Sequence, residues 1–181
     1  MEIIKKFGNV YTNKYSFKEC PTYISKERKY KLSGKYNNIL TKTGTDNWMG
    51  TICNKELDKL IEEHKWKIKI LNSKKKFVMV GIAPIDFDIN SSNHNTCGWY
   101  LHCWGSYLES GPPHRYKAKN SGLSEVDDEI IVVMNMHKRT LKFIINNEDK
   151  GNSFKDIPID KPLYPAVLLY DQNDSIEITE C

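Results

Sequence analysis

The chain has 181 residues, of which 39% are hydrophobic and 28% are charged, and its net charge is +4. This composition is typical of a soluble globular protein, and the length predicts a single domain over residues 1–181 that buries roughly 70% of its unfolded surface. No apolar run approaches the ~18 residues of a membrane span, and the first residues lack the apolar segment of a secretory signal. We therefore expect no membrane partner and a cytoplasmic or nucleocytoplasmic location.

The cysteines and lysines are scattered along the chain. Five cysteines at irregular spacing favour a reducing compartment over a disulfide framework. The one tight basic run, Lys74-Lys75-Lys76, is predicted to lie in a hairpin turn. A nucleic-acid surface usually clusters Arg, Lys and aromatic residues on one face, so we expect solvated strand faces and no nucleic-acid partner.

The N-terminal third predicts short strands. Residues 1–22 are predicted to form an arm or strand packed against a sandwich core, which spans residues 23–178. Strands are predicted over Tyr23–Leu32 and Trp48–Cys53, and a shorter strand at Ile39-Leu40.

Residues 55–64 give the one helical pattern in the sequence. Leu57, Leu60 and Ile61 recur at i, i+3 and i+4, and Asn54 before them is a residue favoured at helix N-caps. The segment therefore predicts a helix of about ten residues, which is too short to be stable without docking on the core.

The middle of the chain returns to strand patterns. In Trp66–Ile70 lysines alternate with Trp and Ile, which predicts a strand with one buried face. Phe77–Ala83 is almost continuously apolar, which predicts a strand covered on both faces and ended by Pro84. Trp99–Trp104 predicts another strand, and the Gly/Pro-rich segment Ser110–Gly122 predicts the longest loop.

The C-terminal half predicts a hairpin. Ile130–Met136 and Leu141–Ile145 are predicted strands, and Asn146-Asn147 predicts a turn with positive φ, which Asn tolerates. The inward positions in these patterns are interpreted as core residues: Trp48, Trp66, Trp99 and Phe143. Together the patterns predict an all-β fold, a two-sheet antiparallel β-sandwich with one short helix near residues 55–64.

The segment His94–Cys103 is the strongest candidate for metal chemistry. His94, Cys97, His102 and Cys103 are residue types that zinc favours, but strand periodicity places Cys97 and Cys103 on one face and points His102 away. We expect no metal and no cofactor. The sequence also lacks a strand-to-helix Gly-x-Ser-x-Gly elbow and a Gly-rich phosphate loop, so no enzyme activity is expected.

Several short motifs follow one another in a particular order along the chain. They are Trp66–Ile70, Val80-Gly81-Ile82-Ala83, Gly98-Trp99, Asp128, Phe143, Asn146, Gly151, Phe154 and Leu163-Tyr164-Pro165-Ala166-Val167. In order and spacing this set resembles the SPRY domain family over roughly residues 23–178. Two positions depart from the family pattern: Asn135 replaces an Asp and Asn147 replaces a Gly. Because Asn is the commonest non-Gly residue at positive φ, the second change should preserve the turn.

The resemblance implies a concanavalin-like, jelly-roll-like sandwich that acts as a non-enzymatic protein-protein interaction module, here a monomeric standalone or excised domain. SPRY domains bind a linear peptide or a partner surface through loops at one end of the sandwich. Carried over, those loops imply these partner-binding residues: Pro84, Asp86, Tyr107, His114, Arg115, Tyr116, Tyr170, Asp171 and Gln172. Lectin-like sandwiches share the architecture, so carbohydrate binding is the alternative. The missing secretion signal and the closer SPRY spacing favour a protein or peptide partner.

Overall fold

The computed structural model describes residues 14–17, 30–45, 47–75, 77–86, 98–104, 107–110, 114–117 and 128–181. Within these ranges the chain forms thirteen β-strands: β1 (Tyr30–Ser33), β2 (Ile39–Lys42), β3 (Met49–Ile52), β4 (Glu63–Asn72), β5 (Val78–Pro84), β6 (Trp99–His102), β7 (Tyr107–Ser110), β8 (His114–Lys117), β9 (Glu129–Asn135), β10 (Thr140–Ile145), β11 (Glu148–Phe154), β12 (Leu163–Leu169) and β13 (Ser175–Glu180). No described residue belongs to a helix long and apolar enough to cross a bilayer.

The strands form two antiparallel sheets. The larger sheet has the order β1-β2-β13-β4-β9-β10-β11, and the smaller sheet has the order β3-β12-β5-β6-β7-β8. Every strand pairing is antiparallel. The predicted two-sheet antiparallel sandwich is confirmed.

The main core lies between the two sheets. In β4 the buried residues Trp66, Ile68 and Ile70 alternate with Lys67 and Lys69, which are half-buried. This is the alternation expected of a strand with one face on the core. Phe143 of β10 is also in the main core and is fully buried.

The central strands of the smaller sheet are buried at every position, as the apolar run in β5 predicted. Their inward residues join the main core, and the outward residues join a second buried cluster that includes Met79, Tyr100 and Leu168. Gly81 lies between β12 and β6, and a Cβ atom there would stand 1.8 Å from the backbone oxygen of Trp99. Because the backbones of β5 and β6 approach so closely, the Val80-Gly81-Ile82-Ala83 motif needs Gly at position 81.

The turn after β10 has the predicted conformation. Asn146 and Asn147 have φ angles of 47° and 69°. The Asn146 side chain donates to Asp128 Oδ1 (3.0 Å) and accepts a hydrogen bond from the backbone N–H of Glu129 (3.1 Å). Asp128 and Asn146 therefore tie the start of β9 to the end of β10, which accounts for their place in the motif.

The predicted helix at residues 55–64 is wrong. Leu57 is buried, but Leu60 is 88% exposed, and β4 begins at Glu63. Backbone donors at the start of this segment bond to distant carbonyls, since the N–H of Asn54 bonds to Ser16 O and the N–H of Leu57 bonds to Leu163 O. The N–H of Ile61 bonds to Asp58 O, which is the bond of a local turn and not of an α-helix. Nor is the Asn54 side chain an N-cap, because its Oδ1 accepts from the N–H of Ser16.

Two predicted connections also differ from the structure. The lysine run does not lie in a hairpin turn, because β4 and β5 belong to different sheets and the turn carries the chain between them. The predicted loop Ser110–Gly122 contains strand residues: Ser110 ends β7, and β8 pairs with it in a hairpin. Residues 111–113 and 118–122 of that prediction lie outside the described ranges, as do 23–29 of the first predicted strand.

Candidate functional site

The structure divides the predicted binding residues between opposite ends of the smaller sheet. One end, here called the proline end, carries Pro84, Asp86 and His114. Neighbouring strands align there through the pairs Pro84–Leu163, Ile82–Trp99, Trp99–Ser110 and Ser110–His114. The other end, here called the aromatic end, carries Tyr107, Tyr170, Asp171 and Gln172. It is defined by the pairs Val78–Leu169, Met79–His102 and His102–Tyr107.

Arg115 and Tyr116 belong to neither end. They lie within β8, the last strand of the smaller sheet, opposite Glu109 and Leu108. The implied binding residues therefore do not form one surface at one end of the sandwich.

The proline-end residues make contacts with the segment before β12. Asp86 forms a 2.6 Å ion pair with Lys161, and both side chains are more than half exposed. The hydrogen bond from Lys161 holds the pKa of Asp86 below its usual range. The N–H of Ile85 donates to Pro162 O (3.1 Å), and Pro84 is a buried strand residue.

The aromatic end contains a continuous series of described rings. His102 contacts Trp48 (5.8 Å between ring centroids), Trp48 contacts Tyr170 (5.3 Å), Tyr170 contacts Phe77 (5.4 Å) and Phe77 contacts Trp104 (5.3 Å). All four contacts are edge-to-face, the arrangement that the ring quadrupoles favour. Trp104 at the end of the series is 52% exposed.

Backbone hydrogen bonds bring these rings together from separate parts of the chain. The N–H of Tyr170, just after β12, donates to Phe77 O (3.1 Å), just before β5. The N–H of Asn47 donates to Tyr170 O (3.2 Å), which places the adjacent Trp48 beside the same ring. Cross-strand pairing thus assembles the site in a way that chain order does not show.

A polar layer borders the rings. The Lys75 ammonium lies 3.4 Å from Asp171 Oδ1 and 5.8 Å from the centre of the Phe77 ring. Asp171 is buried, and its N–H donates to Asp174 Oδ2 (3.0 Å), while the exposed Gln172 donates through Nε2 to Thr43 O (3.2 Å). Burial raises the pKa of Asp174, which is almost fully enclosed. Asp171 is thus a structural residue, whereas Lys75 and Gln172 present polar groups at the surface.

The buried side chain of Lys42 stabilises the loop next to the aromatic end. Lys42 is completely buried, and its ammonium donates to Gly44 O (3.1 Å), Asn47 Oδ1 (3.3 Å) and Thr45 O. Because a buried ammonium is stable only when it is well hydrogen-bonded, these contacts fix the loop at Gly44, Thr45 and Asn47. The loop leads directly to Trp48, so Lys42 positions one wall of the aromatic end.

Sequence reasoning missed the residues Phe77 and Trp104 and interpreted Trp48 as core. A usable signal was present, because Phe77 stands just before an apolar strand while Trp104 and Tyr170 follow others. Aromatic residues that flank strands are candidates for a sheet end, where packing is incomplete.

The metal candidates take up structural positions where they are described. His102 makes the ring contact with Trp48, and Cys103 is buried in the main core. In the ranges that the structure covers, no three His, Cys, Asp or Glu side chains converge as a metal site would require. His94 and Cys97 lie outside those ranges. The aromatic end offers ring surface, an indole, an ammonium and an amide.

Comparison with known proteins gives a family and a fold. A family model, the SPRY domain, matches residues 63–181. The structure is similar to the SPRY domain of human HERC1, with a TM-score of 0.70 and 20% identity over 84% of this chain and 93% of that chain. It is also similar to another human SPRY domain (TM-score 0.67, 14% identity, 84% and 95% covered) and to the PSpry domain of TRIM65 (0.61, 14%, 92% and 91%). None of the curated proteins matches the sequence. At these identities the structural likenesses speak for the fold alone.

Proposed function

The chain belongs to the SPRY domain family, and from this premise we propose that its aromatic end binds a protein partner, either a linear peptide or a patch on a folded protein. SPRY domains are generally non-catalytic protein-interaction modules. Membership therefore supports the class of function, and the choice of surface depends on the geometry of this chain.

The observation that carries the proposal is the ring series that ends in the half-exposed Trp104. Trp and Tyr are the residues most enriched among the few that dominate binding energy at interfaces. Here each ring is held by contacts to its neighbours, so that little side-chain freedom remains to be lost on binding. An exposed ring on a rigid aromatic base is a suitable anchor for an apolar side chain of a partner.

The polar border suits the same role. The Lys75 side chain is 59% exposed, and Gln172 is exposed as well. An apolar centre with a polar rim is the usual anatomy of a protein-binding surface, since the rim supplies orientation and the centre supplies most of the affinity.

The first test compares Trp104 with Leu60, an exposed apolar residue outside the ring series. Partners are identified by affinity purification from the native organism, and their dissociation constants are measured for wild type, Trp104→Ala and the control Leu60→Ala. Loss of an anchor of roughly 2 kcal/mol should weaken binding about thirtyfold in Trp104→Ala. Leu60→Ala should bind normally, although Leu60 is more exposed. Equal loss in both variants, or none in Trp104→Ala, would rule out the aromatic end.

A second test addresses the strand residues that the family resemblance implied. The double variant Arg115→Ala/Tyr116→Ala changes β8 without touching the described ring series. If this variant loses the partners and Trp104→Ala keeps them, the binding surface lies on the β7–β8 hairpin and our assignment is wrong.

An exposed indole also suits stacking on a sugar ring, which keeps carbohydrate binding as the second candidate. A glycan array would favour it if binding is present in wild type and absent in Trp104→Ala. We further propose a monomeric adaptor in the cytoplasm or nucleocytoplasm, which analytical ultracentrifugation and imaging of the tagged protein would test.

A further inference from the structure

Two ammonium groups lie against Tyr36, which belongs to the turn between β1 and β2. Lys14 Nζ lies 3.4 Å from the Tyr36 hydroxyl oxygen and 4.5 Å from the ring centre. Lys35 Nζ lies 5.3 Å from the same ring centre. Two like charges thus converge on a single aromatic ring, to which each is attracted by the cation–π interaction.

The described structure provides no countercharge for this pair. Other lysines, such as Lys67 and Lys142, form ion pairs with Glu129 and Asp149. Among the described ion pairs none includes Lys14 or Lys35. The carboxylate bonded to this turn, that of Glu177, accepts a hydrogen bond from Asn38 Nδ2 (2.9 Å).

The pair is held by ordered backbone. The turn has positive φ at Gly34 (82°) and Asn37 (56°), and the N–H of Phe17 donates to Asn37 O (3.0 Å). Phe17 and Tyr15 are buried in the main core, which anchors the segment that carries Lys14. The two lysines therefore approach Tyr36 from two separately anchored segments.

We propose that Lys14, Lys35 and Tyr36 form a binding site for a phosphate monoester. A phosphate monoester is close to a dianion at neutral pH, so it neutralises both ammonium groups. Two ammonium groups and one phenol supply a donor for each of its three terminal oxygens, and Lys binds phosphate as a point charge. Hydrogen bonds from Lys35 and then Lys14 lower the pKa of the Tyr36 phenol, in agreement with a positive potential at the hydroxyl.

The test is a titration of the whole chain with inorganic phosphate, phosphoserine or AMP at constant, low ionic strength, followed by amide NMR shifts at residues 34–37. The two organic probes distinguish a phosphoamino acid from a nucleotide. Lys14→Gln/Lys35→Gln should weaken binding about thirtyfold, since two contacts near 4 Å worth about 1 kcal/mol each are lost. The control Lys31→Gln/Lys74→Gln removes the same net charge from exposed sites and should change binding less than about twofold.

A second measurement is independent of affinity. Bound dianion should raise the pKa of the Tyr36 phenol toward its ordinary value, measured by the ring resonances of Tyr36 with and without saturating phosphate. Shifts that also follow added chloride, binding that survives in Lys14→Gln/Lys35→Gln, or an unchanged phenol titration would each overturn the proposal. Because this site is at the other end of β2 from Lys42, its failure leaves the aromatic-end proposal untouched.

Discussion

Replacing Lys42 by Met removes the buried ammonium while keeping the apolar part of the side chain. Hydrogen bonds from a charged donor contribute roughly 1.5–3 kcal/mol each, and three described acceptors would lose theirs. Against this, the variant no longer buries an ion, a cost of several kcal/mol in wild type. Two of the acceptors belong to the exposed residues Thr45 and Asn47, so water can replace the ammonium there. We therefore expect the free energy of unfolding to fall by about 2 kcal/mol.

Urea denaturation measures this loss, and hydrogen exchange at residues 43–45 and 47 locates it. Faster exchange in that loop should accompany the lower midpoint, because the ammonium is what fixes the loop backbone. The control Lys31→Met changes an exposed lysine of β1 and should stay within about 0.5 kcal/mol of wild type. If Lys42→Met matches wild type in both midpoint and loop exchange, the ammonium does not hold the loop and the reasoning fails.

Three further substitutions test the scaffold. Asn146→Gly should cost about 1–3 kcal/mol because it removes the donor to a buried carboxylate, whereas Asn147→Gly at φ 69° should be neutral or slightly stabilising; equal effects in urea denaturation would contradict this. Gly81→Ala should cost about 3 kcal/mol or more, since its Cβ would collide with the backbone of Trp99, and normal thermal stability would disprove that contact. Asp174→Asn should raise the urea midpoint at neutral pH. Because folding raises the pKa of Asp174, the stability of the wild type falls as the pH rises through that pKa. The advantage of the Asn variant should therefore shrink near pH 4. A pH-independent difference would exclude this carboxyl.

Local patterns predicted much of the scaffold. The alternation around Trp66 and the apolar run after Phe77 identified strands with one and two buried faces, since side-chain direction in a strand depends only on position parity. The turn at Asn146 was predictable because few residues tolerate positive φ.

Nonlocal backbone pairing explains the failures. The spacing of Leu57, Leu60 and Ile61 fits a helix, but the amide of Leu57 bonds to a carbonyl more than a hundred residues away, which no local period reveals. The placement of the predicted binding residues was unpredictable for the same reason. Loops that follow successive strands alternate between sheet ends, and only the strand order shows that Asp86 and Tyr170 lie at opposite ends.

The separation of the Tyr36 turn from the aromatic end has a consequence for simultaneous occupancy. The four residues of β2 stand between them, with the turn before Ile39 and the Lys42 loop after it. A short peptide on the Trp104 surface would leave the Tyr36 turn open to solution, and a phosphate monoester at the turn would leave the Trp104 surface open. The domain could then carry two ligands at once, and their contributions to thermal stability should add without cooperativity.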